Sequence, residues 1–81
     1  MVERHLQEDM LNKKYSLKEV REEIEVLSAA QLAGYSQLSE KTIRDVENGK
    51  TPGSNRTWGK IIRGLNKNPG KSKTWKLSDF K

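Results

Sequence analysis

The sequence predicts an all-α fold, a compact bundle of four to five helices, and three observations predict it. The chain has 81 residues, enough for one small domain. Apolar residues recur at intervals of three and four, the period of an amphipathic helix. Serine residues precede these apolar segments, where their side chains can cap helix N-termini. Sustained alternation of apolar and polar residues, the pattern of a β-strand, is confined to the region near the C-terminus.

The first predicted helix begins after Ser16, which has Glu19 three residues further along, the spacing of a capping box. Its apolar residues fall at intervals of three, four and three: Leu17, Val20, Ile24 and Leu27. These side chains share one face, which we expect to pack on the rest of the bundle.

A second, short helix is predicted after Ser28, which can cap it. The helix continues through Leu32 and Ala33. The stretch from Gly34 to Leu38 is polar enough to predict a turn, which leads into the next helix.

A third helix is predicted after Ser39, again a capping residue. Ile43 and Val46 lie three residues apart and face inward. Gly49 follows Asn48 and supplies the left-handed residue that commonly ends a helix. Pro-Gly then marks a loop.

The fourth helix has Ser54 or Asn55 as its cap. Its apolar residues form one stripe: Trp58, Ile61, Ile62 and Leu65. Because Trp58 lies on this stripe, we expect it in the core. Gly59 and Gly64 each cost about 1 kcal/mol relative to Ala within a helix, so close packing or local fraying is expected there.

The predicted helices occupy residues 16–67, and two terminal segments flank them. Residues 1–15 form either an arm or a further helix. Residues 68–81 form a basic tail that either docks on the bundle or makes a dimer contact.

The composition argues against several classes of function. The chain has no Cys, one His and no Gly-rich phosphate loop followed by Lys and Ser or Thr. We therefore expect no enzymatic activity, no metal site and no cofactor. No apolar run is long enough to span a membrane and the N-terminus does not have the pattern of a signal peptide. A cytoplasmic location is the expectation.

Charge is divided unevenly along the chain. The net charge is +5. Residues 1–49 contain seven Lys and Arg against ten Asp and Glu, whereas residues 50–81 contain nine Lys and Arg against a single Asp. The second segment is therefore where an anionic partner is expected to bind.

Two short helices joined by a tight turn, with a helix before and a helix after, form the pattern of a helix-turn-helix bundle. Residues 28–50 read SAAQLAGYSQLSEKTIRDVENGK. They fit without a gap the pattern of Ser, three residues, Leu-Ala, five residues, Ser, two residues, Thr-Ile, three residues and Glu-Asn-Gly-Lys. This stretch resembles the helix-turn-helix of the Cro and lambdoid repressor family, the xenobiotic-response-element type of bacterial and phage regulators. The likeness extends from residue 17 to residue 66.

The resemblance implies a lambda-repressor-like fold that binds double-stranded DNA in the major groove and regulates transcription, most often as a repressor. It also implies a homodimer on a palindromic site. The third helix would be the one that reads the bases.

On that helix, the inward positions of Ile43 and Val46 leave Glu40, Lys41 and Arg44 on the outer face near the N-terminus. Lys41 and Arg44 could donate to guanine, and Glu40 could accept from cytosine. Glu40 could instead only stabilise the helix dipole. The neighbouring Asp45 is interpreted as a surface residue.

The resemblance suggests a structural role for Glu47, an ion pair with a basic residue of the first helix. Arg21 is the candidate partner. The alternative is that Glu47 is a solvated surface charge.

Affinity is expected to come from groups that contact phosphates and fix the register of the protein on the duplex. These candidates lie at the start of the third helix and in the segment after it: Ser39, Asn48, Lys50, Thr51, Ser54, Asn55 and Arg56.

The chain departs from the family pattern at two positions. Gln37 stands where the family usually has Gly in the turn, so either Gln37 adopts a positive φ or the turn uses Gly34. Ala29 stands where many relatives carry Gln, which leaves only backbone N–H groups for a phosphate at that point.

Trp75 lies among lysines in the tail, and three roles are open for it. It could cover the bundle, form part of a dimer contact, or accompany Lys71, Lys73 and Lys76 to a DNA backbone. Docking or dimerisation is favoured over DNA contact.

The rival hypothesis is a helical protein-interaction module, such as an antitoxin-like or phage accessory protein. The position of the basic charge distinguishes the two. A shared face for Lys50, Arg56 and the N-terminal end of the third helix would favour DNA, whereas Arg56 and Lys60 pointing away from it would favour a protein partner.

Overall fold

The computed structural model describes residues 14–81, and within this range the chain is helical, with four helices and no β-strand. The first helix, α1, is α-helical over Leu17–Glu19 and continues as a π-helix over Val20–Ile24. The others are α2 (Ala29–Ser36), α3 (Glu40–Glu47) and α4 (Asn55–Lys67). A 3₁₀ turn over Leu77–Asp79 lies near the C-terminus. The predicted all-α class is confirmed, and the expected arm or helix over residues 1–15 falls, apart from its last two residues, outside the described range.

Serine caps begin all four helices. In each case the side-chain oxygen accepts a hydrogen bond from the backbone N–H three residues later, at 3.0 or 3.1 Å. The caps are Ser16, Ser28, Ser39 and Ser54. An N-cap of this kind contributes about 1 kcal/mol. These local interactions explain why the helix starts agree with the prediction.

The end of α1 differs from the prediction. The apolar spacing predicted a helix face reaching Leu27, but the helix ends at Ile24. Val26 adopts a φ of 54°, and the Leu27 N–H returns to the Arg21 carbonyl at 2.7 Å. This is the geometry with which helices often end at a left-handed residue, usually Gly. Leu27 is still buried, but it reaches the core from the loop.

The second helix is longer than predicted. Gly34 lies inside α2, which runs to Ser36. Gln37 then takes the left-handed conformation, with a φ of 56°, and its N–H bonds to the Gly34 carbonyl at 3.3 Å. Of the two predicted alternatives for the turn, the chain therefore uses a positive φ at Gln37.

The core lies between α2 and its neighbours. Helix α2 packs mainly against α4 and also against α3. Ser36 and Gly64 approach each other closely, since a Cβ placed on Gly64 would lie 2.9 Å from the Ser36 Cα. Close packing at Gly64, one of the two outcomes expected for it, is therefore observed. The buried apolar residues are Leu17, Val20, Leu27, Ala29, Leu32, Ala33, Ile43, Val46, Ile61, Leu65, Trp75 and Phe80.

The tail docks on this bundle. Trp75 is 2% exposed, and its ring meets Tyr15 edge-on at 5.8 Å and Phe80 at 5.8 Å. Phe80 also contacts the half-buried Trp58, whose ring centroid lies 5.3 Å away. Trp75 is thus a core residue of its own chain, which leaves it unable to contact a DNA backbone.

A buried carboxylate fastens the tail. Glu25, directly after α1, accepts hydrogen bonds from the Ser72 N–H at 3.0 Å, from the Ser72 hydroxyl at 3.2 Å and from Trp75 Nε1. Neutral donors rather than a cation satisfy this side chain. The first helix and the tail are therefore joined directly.

Candidate functional site

The outer face of α3 carries four charged residues in six positions. Ile43 and Val46 are buried in the core, and this orients the opposite side of the helix outward. An open concavity on that side is lined by Glu40, Lys41, Arg44, Asp45, Asn48 and Lys50. All three residues expected to read bases therefore lie on one surface, together with two of the expected phosphate contacts.

The charges on this face are paired with each other. Lys41 Nζ lies 2.8 Å from Asp45 Oδ2, and Arg44 Nη2 lies 2.9 Å from Glu40 Oε1. Both pairs have i,i+4 spacing on the surface of the helix, where such pairs are weak and screened by salt. The hydrogen bond from Lys41 lowers the pKa of Asp45, and the same bond raises the pKa of Lys41. The face of α3 as a whole is electrically balanced.

The role of Asp45 was not predicted from the sequence. Asp45 was interpreted as a surface residue, and it serves as the acceptor that holds the Lys41 ammonium group. The four-residue separation of the two side chains was the signal that could have identified this pair.

A buried ion pair supports α3 from behind. Arg21 donates to both carboxylate oxygens of Glu47, from Nε at 2.5 Å and from Nη2 at 3.0 Å. The Glu47 side chain is 3% exposed and that of Arg21 is 10% exposed. Arg21 Nη1 also donates to the Leu27 carbonyl at 3.0 Å. The pairing expected for Arg21 and Glu47 is present, and it ties α1 and the loop before α2 to the C-terminal end of α3.

This buried pair has the strength of a charge-assisted bidentate contact. The hydrogen bond that Arg21 donates to Glu47 raises the pKa of the Arg21 guanidinium above its ordinary value. Arg21 also lies 3.2 Å from the exposed Glu22. Arg21 is therefore held beside the C-terminal end of α3 by three acceptor residues: Glu47, Leu27 and Glu22.

The N-terminus of α2 lies beside α3. A second concavity is lined by Lys18, Arg21, Glu22, Ser28, Ala29, Arg44, Glu47 and Asn48. Ser28 and Gln31 form a capping box there, in which the Gln31 side chain accepts from the Ser28 N–H at 2.8 Å. The start of a helix exposes backbone N–H groups and the positive end of its dipole, a favourable setting for an anion.

The remaining phosphate candidates occupy the loop after α3 and the start of α4. Ser54 is the N-cap of α4, and its hydroxyl lies 3.1 Å from Thr57 Oγ1. The Thr51 hydroxyl accepts from the Gly53 N–H at 3.4 Å. Asn55 and Arg56, both exposed, begin α4. Lys50 lines the concavity on the outer face of α3, whereas Thr51, Ser54, Asn55 and Arg56 line neither concavity beside α3. The shared face of Lys50 and Arg56 that would favour DNA over a protein partner is therefore not seen in these linings.

Ser39 and Asn48 mark the two ends of α3. The Ser39 hydroxyl accepts from the Thr42 N–H at 3.1 Å and lies 2.8 Å from Thr42 Oγ1. Asn48 is exposed at the C-cap. Gly49 follows with a φ of 74°, as expected for a residue that ends a helix.

Comparisons of the chain with protein-family models, with curated proteins and with solved structures found no match. Over residues 14–81, no group of His, Cys, Asp or Glu is arranged to hold a metal ion. No helix in this range has the length and apolar character needed to cross a membrane. The chain is thus defined by its fold and its surfaces, as an all-helical domain with a paired charged face on α3.

Proposed function

We propose that the protein binds double-stranded DNA in the major groove through the outer face of α3 and regulates transcription. The observation that carries this proposal is the arrangement of α3. This short helix presents its charged residues on its outer face, where Lys50 lines the same concavity, and the N-terminus of α2 lies beside it. Helices α2 and α3 with the turn at Gln37 would then be a helix-turn-helix, in keeping with the resemblance to the Cro and lambdoid repressor family. A cytoplasmic location and a symmetric dimer on a palindromic site belong to the same proposal.

The dimensions of α3 suit this role. An α-helix with its side chains is about 10–12 Å in diameter and so fits the major groove of B-DNA, which is about 12 Å wide. The eight residues of α3 extend about 12 Å along the helix axis. Lys41 and Arg44 can donate to guanine, and Glu40 can accept from cytosine. Binding requires the two surface ion pairs to open, because each cation is engaged by its own carboxylate. Such pairs are weak enough to exchange for contacts with bases.

The phosphate contacts would come from the ends of α3 and from the segment after it. Lys50 supplies charge beside the reading face, and Ser39 and Asn48 lie at its two ends. Thr51, Ser54, Asn55 and Arg56 would extend the contacts towards α4. The N-terminus of α2 offers backbone N–H groups to a phosphate in place of the missing glutamine side chain at Ala29.

The first test is a titration of mixed-sequence duplex DNA with the wild type and with a Lys41→Ala/Arg44→Ala variant at several salt concentrations. Selection of preferred sequences from a random pool follows. We expect salt-dependent binding and an enriched palindrome that the variant does not select. The matched control is Lys76→Ala/Lys81→Ala, which removes the same charge from the tail and should retain the selected sequence.

Absence of DNA binding by the folded wild type at low salt would overturn the proposal. It would favour the second candidate function, a helical module that binds another protein. Two observations favour that candidate: Arg56 does not line the concavity that Lys50 lines, and Val26 and Leu77 are large apolar side chains exposed at 73% and 55%. Exposed apolar side chains are a common component of protein interfaces.

Glu40→Gln sharpens the assignment of the reading face. The substitution removes the carboxylate that holds Arg44 and repels phosphates, so we expect tighter but less selective binding. The preference at one base pair should weaken by about 1 kcal/mol or more, the usual value of a specific base contact. An unchanged selected sequence would show that Glu40 contributes only to the helix.

A further inference from the structure

The face of α4 that points away from the core carries a row of cations. Arg56, Lys60, Arg63 and Lys67 follow each other at intervals of four, three and four residues, so they share one side of the helix. The apolar residues of α4 lie on the opposite side, where Ile61 and Leu65 are buried. We call these four residues the α4 basic ridge, and it extends about 16 Å along the helix axis.

Within residues 14–81, no acidic residue balances the ridge. Helix α4 contains no Asp or Glu, and none of the four cations forms an ion pair with any residue between 14 and 81. The tail lysines behave differently. Lys73 pairs with Asp79 at 3.2 Å and lies over the Trp75 ring, and Lys71 donates to the Asn66 carbonyl at 3.1 Å. The positive field of the ridge is therefore available to a partner.

Gly59 lies beside the ridge and has no packing explanation among the residues that the structure describes. A Cβ added to it would meet no atom of this part of the chain within 4 Å, and Gly disfavours a helix relative to Ala. Gly64 in the same helix does have such an explanation, because Ser36 packs against it. The missing side chain at Gly59 leaves room for a bulky partner to approach the backbone next to Lys60 and Arg63.

The chemistry of the ridge favours a phosphodiester backbone over a protein. Protein interfaces are built around buried apolar and aromatic anchors. The large apolar side chains exposed in the described part of the chain, Val26 and Leu77, both lie outside α4. Duplex DNA presents one negative charge per about 1.7 Å of its axis, without need of an apolar anchor.

We infer that the α4 basic ridge is a second phosphate-binding surface, which contacts duplex DNA beyond the segment read by α3. This inference rests on the proposed DNA-binding function. No residue of α4 lines the concavity on the outer face of α3, and Arg56 is the one member of the ridge that the proposed function already assigns to a phosphate. The ridge contributes affinity and α3 contributes selectivity. The phosphates belong either to the flank of the same duplex or to a second duplex.

The test compares the wild type with a Lys60→Gln/Arg63→Gln/Lys67→Gln variant, using a mixed-sequence duplex of about 30 base pairs. Each phosphate contact contributes about 0.9 to the slope of log K against log salt concentration. We expect the variant to reduce the magnitude of the slope by about 2.7. The control variant, Lys71→Gln/Lys76→Gln/Lys81→Gln, removes the same charge from the tail and should change the slope by less than about 1.

A slope equal to that of the wild type in the ridge variant, or an equal reduction in both variants, would overturn the inference. An unchanged slope would instead favour an acidic protein as the partner of the ridge. Circular dichroism and thermal melting check that both variants fold. Failure of the proposed function is recognised separately. In that case the wild type would select no preferred sequence, or one that Lys41→Ala/Arg44→Ala selects equally well.

A pair of single substitutions tests the same surface without changing charge. Gly59→Ala and Gly34→Ala both fill an exposed helical glycine at which a Cβ meets nothing, so both should raise the melting temperature. Only Gly59→Ala should weaken DNA binding, by several-fold. Equal affinity of the two variants would contradict close approach of DNA beside Gly59.

The length of the duplex separates the two sources of phosphate. A duplex of about 12 base pairs is too short to offer flanking phosphates. If the wild type and the ridge variant then have the same salt slope, and one duplex is bound per reading surface, the phosphates belong to flanking DNA. Retention of the effect with two duplexes bound, measured by sedimentation, identifies a second duplex. Either result supports the ridge as a phosphate-binding surface.

Discussion

The outer faces of α3 and α4 differ in how their charges are arranged. On α3 two cations and two carboxylates neutralise each other through pairs at 2.8 and 2.9 Å. On α4 four cations follow each other without a carboxylate. A paired face has directional hydrogen-bonding groups and little net field, whereas an unpaired face has a strong field and little direction. In the proposed function, selectivity and affinity therefore belong to different helices of one small domain.

The same comparison explains why acidic residues are tolerated on the proposed reading helix. Phosphate attraction falls off within about 10 Å at moderate salt, so a basic surface close to α3 can offset the carboxylates of Glu40 and Asp45. Lys50, which lines the α3 concavity itself, is such a basic residue. In the proposed function, the residues of α3 that discriminate among bases then need not be the ones that bind the phosphates of every sequence.

The largest expected effect concerns the support of the paired face. Glu47→Ala leaves the guanidinium of Arg21 buried without its bidentate partner, and breaking a buried pair in this way costs about 3–5 kcal/mol. We expect the free energy of unfolding, measured by urea denaturation, to fall by this amount. Glu22→Ala removes the exposed partner of Arg21 and should change it by less than about 1 kcal/mol.

Replacing both members, as Arg21→Met/Glu47→Leu, provides the second control. Apolar residues of similar volume often restore the stability that a broken buried pair loses. A small loss in Glu47→Ala would contradict the assignment of Glu47 as the anchor of α3. Recovery of stability in the double variant would separate the cost of an unpaired charge from the cost of lost packing.

The second prediction compares the two sides of α4. Gly64→Ala places a methyl group against Ser36, with 2.9 Å to its Cα, and overpacking of this kind costs about 1–3 kcal/mol. Gly59→Ala should instead increase the free energy of unfolding by about 0.8–1 kcal/mol, since its Cβ meets nothing. Urea denaturation of the two variants measures both values. Changes of the same sign would show that the packing of α4 on α2 differs from the arrangement described.

Particular residues show how much of this molecule the sequence could predict. The four serine caps were predictable because a cap interacts only with the next three residues. The pair of Arg21 with Glu47 was proposed from the family resemblance, and its bidentate geometry required the structure. The fold class followed from the spacing of apolar residues. These features depend on short-range physics or on a known pattern.

Other features depend on distant parts of the chain and were not predictable from local sequence. The end of α1 at Ile24 requires a left-handed Val26, which local preference disfavours for a β-branched residue. The docking of Trp75 depends on Glu25, fifty residues earlier. The turn uses Gln37 rather than Gly34 because α2 continues through Gly34 to Ser36, and Ser36 packs against Gly64 of α4.

The smallest expected effect concerns the paired face of α3 itself. The hydrogen bond from Lys41 holds the pKa of Asp45 below its ordinary value of 3.8. A carboxyl whose pKa is lower in the folded state stabilises the fold above the unfolded pKa, and the contribution is lost as the pH falls through the folded pKa. Asp45→Asn should therefore have a slightly lower urea midpoint than the wild type at pH 6. The difference should shrink as the pH falls below 3.8 and vanish once Asp45 is protonated in the folded state as well, because the carboxyl is then neutral like the amide of Asn.

High salt gives an independent check on the same variant. Because the pair of Lys41 and Asp45 lies at the surface, 1 M salt should remove most of the difference at pH 6 as well. A difference that persists at low pH and at high salt would come from packing or helix propensity, and the carboxylate of Asp45 would then not be needed to balance Lys41. A difference that disappears under both conditions shows that the face of α3 is neutral in solution because its own residues pair, which is the property that distinguishes it from the face of α4.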